Sequence, residues 1–140
     1  GTFWFHDHDA LQLEYMRDPE LDGTPAGFTN EGWSSRWNAG SFFFNERAKD
    51  LFQKIYDTMI ERGTNEQDAL TYLWEQGLAG YKMLDNTYNM GIYHIRDIYE
   101  KIEKPLIVAH FHPHKPKHLD LFKSFIPNRL ERIFHGYNIK

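Results

Sequence analysis

Two aspartates separated by one residue stand near the start of the chain and are the first candidates for chemistry. Asp7 and Asp9 follow an aromatic stretch, residues 2–5, that is predicted to form a buried strand, and no Lys or Arg lies within five residues of the pair. Residues i and i+2 of an extended segment point the same way, so both carboxylates can reach one ion. Oxygen ligands suit Mg²⁺ or Mn²⁺. We predict a metal site here, with two solvated acids at a polar strand end as the alternative.

A segment rich in His and Lys follows a second predicted buried strand, residues 106–109. It contains His110, His112, His114 and Lys115. Imidazole is a ligand for Mn²⁺, and a lysine could neutralise a phosphate. If the two buried strands share a sheet, their carboxyl ends lie on one rim, where open α/β folds bind ligands, and His110 lies near the aspartate pair. The alternative is a basic surface loop.

A polar segment at the start of a predicted helix has a structural explanation that covers most of it. Asn65 is expected to cap the helix, and Glu66 and Asp68 suit the first turn because acids interact favourably with the helix dipole. This interpretation explains three of the four residues but does not require Gln67.

Asn38, Ala39 and Gly40 combine an amide with two small residues. Small residues let a ligand approach the backbone, and Asn offers both a donor and an acceptor. A turn before a short strand, predicted over residues 41–44, is the competing interpretation.

The predicted elements place these residues in an α/β fold. Apolar residues recur on one helical face over residues 46–62, with Asn45 as N-cap and Gly63 at the helix end. Other predicted helices cover 66–75, 94–104 and 118–125, and a long irregular loop covers 17–35. Strands and helices alternate, and we predict one domain over residues 1–140.

Composition and charge narrow the function classes. The net charge of −4 and the pI of about 6.0 argue against nucleic acid as a partner. No apolar run of 18 residues occurs, so no membrane span is expected. The chain has no Cys, which excludes a disulfide scaffold and a thiolate metal site and favours the cytoplasm, as does the lack of a visible signal peptide. Because the chain starts inside a predicted strand and without Met, we also expect a missing N-terminal part, and then the Golgi lumen is the alternative location.

Four motifs occur in a fixed order along the chain. They read His6-Asp7-His8-Asp9-Ala10, Trp37-Asn38-Ala39-Gly40-Ser41-Phe42, Glu66-Gln67-Asp68-Ala69-Leu70 and His110-Phe111-His112-Pro113-His114-Lys115-Pro116. This series resembles the GT-A glycosyltransferases that retain anomeric configuration, and it is most similar to glycosyltransferase family 34, the galactosyl-, xylosyl- and mannosyltransferases. The resemblance implies a GT-A-type mixed sheet flanked by helices. It also implies that this chain is the C-terminal half of a catalytic domain, without the N-terminal half that binds the nucleotide base.

The resemblance implies a site for a metal and a diphosphate. Asp7 and Asp9 would bind Mn²⁺, or Mg²⁺, and through it the nucleotide diphosphate. His110 would be the third protein ligand of the metal. Lys115 would hold the diphosphate and stabilise it as the leaving group.

The resemblance also implies which residues contact sugar. The donor-sugar and acceptor pocket would be lined by Asn38, Ala39 and Gly40. Gln67 would lie below the anomeric carbon, and Glu66 and Asp68 would contact hydroxyl groups of the donor sugar or acceptor. The implied catalytic residues are therefore Gln67, Glu66 and Lys115. The partners would be a nucleotide-diphosphate sugar, with UDP favoured over GDP, and a saccharide or other hydroxyl acceptor.

Two other functions remain open at this point. His6, His8, Asp9, His110 and His112 resemble the H-x-H clusters of amidohydrolase-type sites, in which Zn²⁺ activates water. The other alternative is a non-catalytic carbohydrate-binding module with a degenerate transferase fold. Tight Zn²⁺ binding without nucleotide would favour the hydrolase, whereas Mn²⁺ binding that a nucleotide diphosphate enhances would favour the transferase.

Overall fold

The computed structural model describes residues 1–31, 34–91 and 107–110, and these residues form two β-sheets and two α-helices. The strands are β1 (Thr2–His6), β2 (Ala10–Gln12), β3 (Ala26–Asn30), β4 (Trp37–Asn45), β5 (Lys82–Met83), β6 (Met90–Gly91) and β7 (Val108–His110). The helices are α1 (Lys49–Arg62) and α2 (Glu66–Glu75), and the short 3-10 helices are Glu46–Ala48 and Asn86–Tyr88. Within these ranges, neither helix has the length and apolar character that crossing a bilayer requires.

Strand β4 is an inner strand of the larger sheet, whose order is β1-β4-β3-β5. It runs antiparallel to β1 and to β3, while β5 runs parallel to β3. Phe28 of β3 lies opposite Phe42, but the next residue, Thr29, lies opposite Asn38. Residues 39–41 of β4 therefore form a bulge with no counterpart on β3. Bulges bend a strand and re-aim its side chains, and they are common beside functional sites.

The smaller sheet has the order β2-β7-β6. Strand β7 runs antiparallel to β2, with His110 opposite Ala10, and parallel to β6, with Ala109 opposite Met90. Because β2 begins directly after Asp9, this pairing brings the two aspartates to the end of β7.

Helices α1 and α2 pack against the larger sheet through an apolar core. That core contains Ala26, Phe28, Trp37, Leu51, Ile55, Ala69, Leu70, Leu73 and Tyr81. Both helices were predicted from their apolar spacing and caps, and both are confirmed. Asn45 caps a 3-10 turn that precedes α1, and Gly63 ends α1 with a φ of 60° in the left-handed region. The side chain of Asn65 accepts a hydrogen bond from the Asp68 N–H at the start of α2.

The loop predicted over residues 17–35 is wrong in part, because it contains β3. Ala26 and Gly27 have low strand propensity, but the strand is held by pairing on both sides and by burial, which outweigh local preference. A Cβ on Gly27 would lie 2.9 Å from a side-chain carbon of Leu84 and 3.0 Å from one of Leu21, so any side chain there would require these leucines to shift.

The strand predicted over residues 2–5 is present, but the expectation that it is buried is wrong. Among the described strands β1 pairs with β4 alone, and the side chains of Phe3 and Phe5 are 53% and 44% exposed. The strand predicted over residues 41–44 begins earlier, at Trp37. The helices predicted over residues 94–104 and 118–125 lie outside the described residues.

Candidate metal centre

The two aspartates lie on a tight turn between β1 and β2. The Ala10 N–H donates to the Asp7 carbonyl oxygen at 3.0 Å, and the Asp7 N–H donates to the Gly40 carbonyl oxygen at 2.8 Å. The extended geometry that we expected for this pair is therefore wrong, since residues 8 and 9 form the turn. The second hydrogen bond anchors the turn to the bulge of β4.

His110 meets both carboxylates. Its Nε2 atom lies 2.9 Å from Asp9 Oδ1 and 3.7 Å from Asp7 Oδ2. We expected these residues to meet because the strands that precede them share one sheet. That expectation is wrong, because β1 and β7 belong to different sheets. The residues meet because β2 continues from the aspartate turn and pairs with β7.

Gly40 makes room for the imidazole ring of His110. A Cβ at position 40 would lie 1.9 Å from His110 Cε1 and 2.2 Å from its Nδ1, so any side chain there would displace the ring. The sequence suggested that small residues at this position let a ligand approach the backbone. In the structure the group that approaches the backbone is a side chain of the protein.

The charged form of the Asp7 carboxyl is disfavoured in this cluster. Burial raises the pKa of the Asp7 carboxyl above its ordinary value, and repulsion from Asp9 and Glu66 raises it further, while attraction to His110 and His8 lowers it. The Asp7 side chain is 46% exposed, whereas those of Asp9 and His110 are each 12% exposed. The Asp9–His110 pair therefore forms the buried side of the cluster, and Asp7 forms the side that solvent reaches.

Asp7, Asp9 and His110 have the spacing of ligands to one divalent cation. Each offers one ligand atom, and these atoms lie within 4.8 Å of one another. An octahedral cation with ligands at about 2.1 Å holds neighbouring ligand atoms about 3 Å apart and opposite ones about 4.2 Å apart. Two carboxylates and one imidazole suit Mn²⁺ or Mg²⁺, so these three side chains fit the divalent cation that the sequence predicts here.

The described residues do not form the alternative metal site, in which His6 and His8 would be ligands. Among the described residues, neither histidine joins the group of side chains that could hold an ion. The His6 ring instead lies against Trp4, with 4.3 Å between ring centroids, and its Nδ1 lies 2.9 Å from the Asp7 carbonyl oxygen. Lys115, His112 and His114 lie outside the described residues, so their predicted contribution stays a prediction.

The bulge of β4 is joined to α2 by Gln67. The Ala39 N–H donates to Gln67 Oε1 at 3.2 Å, and the Gly40 N–H donates to Asn38 Oδ1 at 3.0 Å. These bonds satisfy two backbone donors that the bulge removes from the strand ladder. The structure thus assigns Asn38 and Gln67 positioning contacts, and their predicted contacts with sugar stay predictions.

Glu66 and Asp68 flank Gln67 but have different surroundings. Glu66 and Asp7 both line a cavity of about 320 Å³ between the sheet and the helices. Asp68 instead accepts from Arg36 Nε at 2.8 Å and from Thr64 Oγ1 at 3.2 Å, and Arg36 lowers the pKa of that carboxyl. Glu66 is therefore the one that shares a cavity with the metal cluster.

The sequence interpretation missed the apolar wall beside the cluster. The cavity is lined by Phe5, Phe28, Ala39, Phe42, Phe52, Ile55, Tyr56, Met59 and Leu70 in addition to the two acids. Alternate residues of a strand share a face, so the repeated Phe at positions 3 and 5 and at 42 and 44 is the signal that could have found it.

No protein-family model matches the sequence, and no curated protein matches it. One solved structure that does match is the glycosyltransferase GlyE of Streptococcus pneumoniae TIGR4, with a TM-score of 0.63 and 17% sequence identity. The fold is similar to that of a glycosyltransferase. The match covers 99% of this chain and 40% of GlyE, so the chain spans less than half of that structure.

At 17% identity the similarity to GlyE is one of fold. The α/β class with a mixed sheet flanked by helices, expected from the sequence, is confirmed. The narrower resemblance to retaining GT-A enzymes of family 34 stays a prediction, as do the single domain and the site residues.

Proposed function

We propose that this chain carries the metal- and donor-sugar-binding part of a glycosyltransferase. The enzyme would move a hexose or pentose from a nucleotide-diphosphate sugar to a saccharide or other hydroxyl acceptor, with retention and with Mn²⁺ or Mg²⁺. The observation that carries the proposal is the convergence of Asp7, Asp9 and His110 within 4.8 Å on a fold similar to that of a glycosyltransferase.

Three side chains would hold the metal, and Asp7 is held in place differently from the other two. Asp9 and His110 are mostly buried and 2.9 Å apart, so their positions are fixed by packing. Asp7 is held by its backbone bond to Gly40. The chemistry that a divalent cation supplies at such a site is neutralisation of a diphosphate leaving group. By its position five residues after His110, Lys115 is proposed to hold the same diphosphate, a contribution of roughly 2–4 kcal/mol in a site that excludes water.

Gln67 and Glu66 are proposed to act on the sugar side of the site. The side-chain oxygen of Gln67, Oε1, accepts a hydrogen bond from the Ala39 N–H, which holds the side chain against the bulge beside Gly40. An amide is a poor nucleophile, so a covalent sugar–enzyme intermediate on Gln67 is disfavoured and front-face attack is favoured. Glu66 lines the same cavity as Asp7 and is positioned to contact a hydroxyl group there.

The open edge of β1 is the proposed attachment point for the part of the domain that binds the nucleotide base. Among the described strands β1 pairs with β4 alone, and it carries the exposed rings of Phe3 and Phe5. A further strand along this edge would pair with the backbone groups of β1 that no described strand bonds, and it would cover apolar surface. The chain spans 40% of GlyE, which leaves room in an enzyme of that size for such a segment.

The direct test is Asp9→Asn in the full-length protein. Asn keeps the shape but loses the charge, so Mn²⁺-dependent binding of UDP-galactose, UDP-xylose and GDP-mannose, measured by calorimetry, should weaken at least about tenfold, the scale of disturbed metal sites. Sugar transfer should fall by orders of magnitude. The matched control is Asp18→Asn on an exposed loop residue, which should change neither measurement. Two results would contradict the proposal. One is that the unaltered protein binds none of these sugar nucleotides. The other is that Asp9→Asn binds a donor of the unaltered protein with unchanged Mn²⁺-dependent affinity.

A further inference from the structure

The cavity beside the metal cluster is apolar over most of its wall. It has a volume of about 320 Å³, at the lower end of the range for small-molecule sites. The rings of Phe5, Phe28, Phe42 and Phe52 line it together with Tyr56. Phe42 is central to this wall, since its ring centroid lies 4.8 Å from that of Phe5, 4.7 Å from that of Phe28 and 5.9 Å from that of Phe52. Such a wall favours a ligand with an apolar or aromatic part.

The charged groups among the described residues that line the cavity are all acidic. Of its lining residues in the described part of the chain, Asp7 and Glu66 are acidic and none is Lys, Arg or His. Before a metal binds to Asp7, these two carboxylates repel phosphate and carboxylate groups, but they accept hydrogen bonds from hydroxyl groups. The cavity therefore suits an uncharged alcohol, and the diphosphate of a sugar nucleotide would lie on the metal side of Asp7.

Asp7 connects the cavity to the metal cluster. Asp7 is a lining residue of the cavity, and its Oδ2 atom lies 3.7 Å from His110 Nε2. A ligand in the cavity would thus place a hydroxyl group beside the position proposed for the donor diphosphate. Two binding regions that meet at one carboxylate have the layout that a transfer between two substrates requires.

We propose that this cavity binds the acceptor, and that the acceptor is an alcohol with an apolar or aromatic group attached. This inference rests on the proposed glycosyltransferase function. The acceptor oxygen forms a bond to the anomeric carbon of the donor sugar while the bond from that carbon to the diphosphate oxygen breaks. The electron pair of the broken bond leaves with the diphosphate, and the hydroxyl proton passes to that same diphosphate oxygen.

The binding test uses phenyl β-D-galactoside and methyl β-D-galactoside, without metal or donor, in the full-length protein. We expect the phenyl glycoside to bind at least tenfold more tightly in saturation-transfer NMR titrations, because the cavity removes its ring from water. Phenyl phosphate should bind more weakly than the phenyl glycoside because Asp7 and Glu66 repel it. Equal binding of the two glycosides, or preference for phenyl phosphate, overturns the proposal and leaves the wall as a surface that another part of the protein covers.

A matched pair of variants locates the binding. Tyr56 lines the cavity and is 57% exposed, whereas Tyr15 is 82% exposed and lies outside it, so both can be changed without disturbing the core. Tyr56→Ser should lower the preference for the phenyl glycoside, because it removes one of the five rings of the wall, and Tyr15→Ser should leave it intact. Equal preferences in the two variants would place the ligand elsewhere and overturn the proposal.

Transfer assays separate this inference from the proposed function. With donor and Mn²⁺ present, the phenyl glycoside should be the better acceptor, through a lower KM that Tyr56→Ser raises. If the methyl glycoside is glycosylated equally well, the function stands and the acceptor class is wrong. If the phenyl glycoside binds in a Tyr56-dependent manner but no sugar nucleotide binds, the proposed function is wrong and the ligand class of the cavity stands.

Discussion

Two clusters near β4 each join two acidic side chains to one basic side chain, and they differ in the type of that basic side chain. One joins Asp7 and Asp9 to His110; the other joins Asp68 and Glu31 to Arg36, at 2.8 and 3.0 Å. A guanidinium is always charged and has no lone pair, so it neutralises its acids and leaves no place for a cation. A neutral imidazole has a lone pair and can share a cation with the acids beside it.

The pKa shifts of the two clusters point in opposite directions. In the arginine cluster, hydrogen bonding to Asp68 raises the pKa of Arg36, and Arg36 lowers the pKa of Asp68. In the histidine cluster, burial and neighbouring acids raise the pKa of Asp7. The fold therefore stabilises the charged forms of Arg36 and Asp68 in the arginine cluster. In the histidine cluster the fold disfavours the charged form of Asp7, and a bound cation would offset this cost in free energy. The type of base, more than the number of acids, therefore separates a structural ion pair from a candidate metal site.

The largest expected effect comes from Gly40→Ala, which tests whether the histidine must stay where it is. The new Cβ would overlap the imidazole, so the ring has to swing away from Asp9 while the fold persists. Mn²⁺ affinity, measured by calorimetry, should fall about 10–100-fold, the range for changes that misorient a metal-bound histidine. Gly80→Ala is the matched control, because a Cβ there meets nothing within 4 Å. Equal Mn²⁺ affinities in the two variants would show that His110 is not a ligand.

Asp7→Asn should separate stability from metal binding. A raised pKa means that the charged form is disfavoured in the folded state, so the cost is present above that pKa and disappears as pH falls through it. With EDTA present at pH 7, the variant should be more stable to urea by about 0.2–1 kcal/mol, the scale for exposed charges, and this gain should shrink in acid. Its Mn²⁺ affinity should nevertheless fall. If the metal-free variant were less stable than the parent protein, the charge of Asp7 would not destabilise the fold and the two clusters would not differ in this way.

Local signals in the sequence predict the helices well. The apolar spacing of α1, the caps at Asn45 and Asn65 and the stop at Gly63 all act within a few residues, so they can be read without knowing the fold. β3 could not be predicted in this way, because Ala26 and Gly27 form a strand only through their neighbours β4 and β5.

The candidate site was predictable by residue type but not by geometry. The two acids and His110 were expected to meet on a shared sheet edge, and they meet through β2, a strand too short to show a pattern in the sequence. The contact of Gly40 with His110 joins residues 70 positions apart, and no local signal reports it. The ion pair of Asp68 with Arg36 likewise joins residues 32 positions apart, and no local signal reports it.

The smallest expected effect is that of Asp68→Asn, which tests the arginine side of the comparison. The pair with Arg36 is half exposed, so the variant should lose only about 0.5 kcal/mol of stability at pH 7 in urea unfolding. Because Arg36 lowers the pKa of Asp68, this contribution is complete above the unfolded pKa of about 3.9 and disappears as pH falls through the lower folded value. The stability difference between the two proteins should therefore shrink as the pH falls below about 3.9. At neutral pH Asp68→Asn lowers the stability, whereas Asp7→Asn without metal raises it. Mn²⁺ affinity without nucleotide should be unchanged, because the guanidinium already occupies the place where a cation would have to bind. If Asp68→Asn weakened Mn²⁺ binding as much as Gly40→Ala does, the type of base would no longer explain which cluster binds metal.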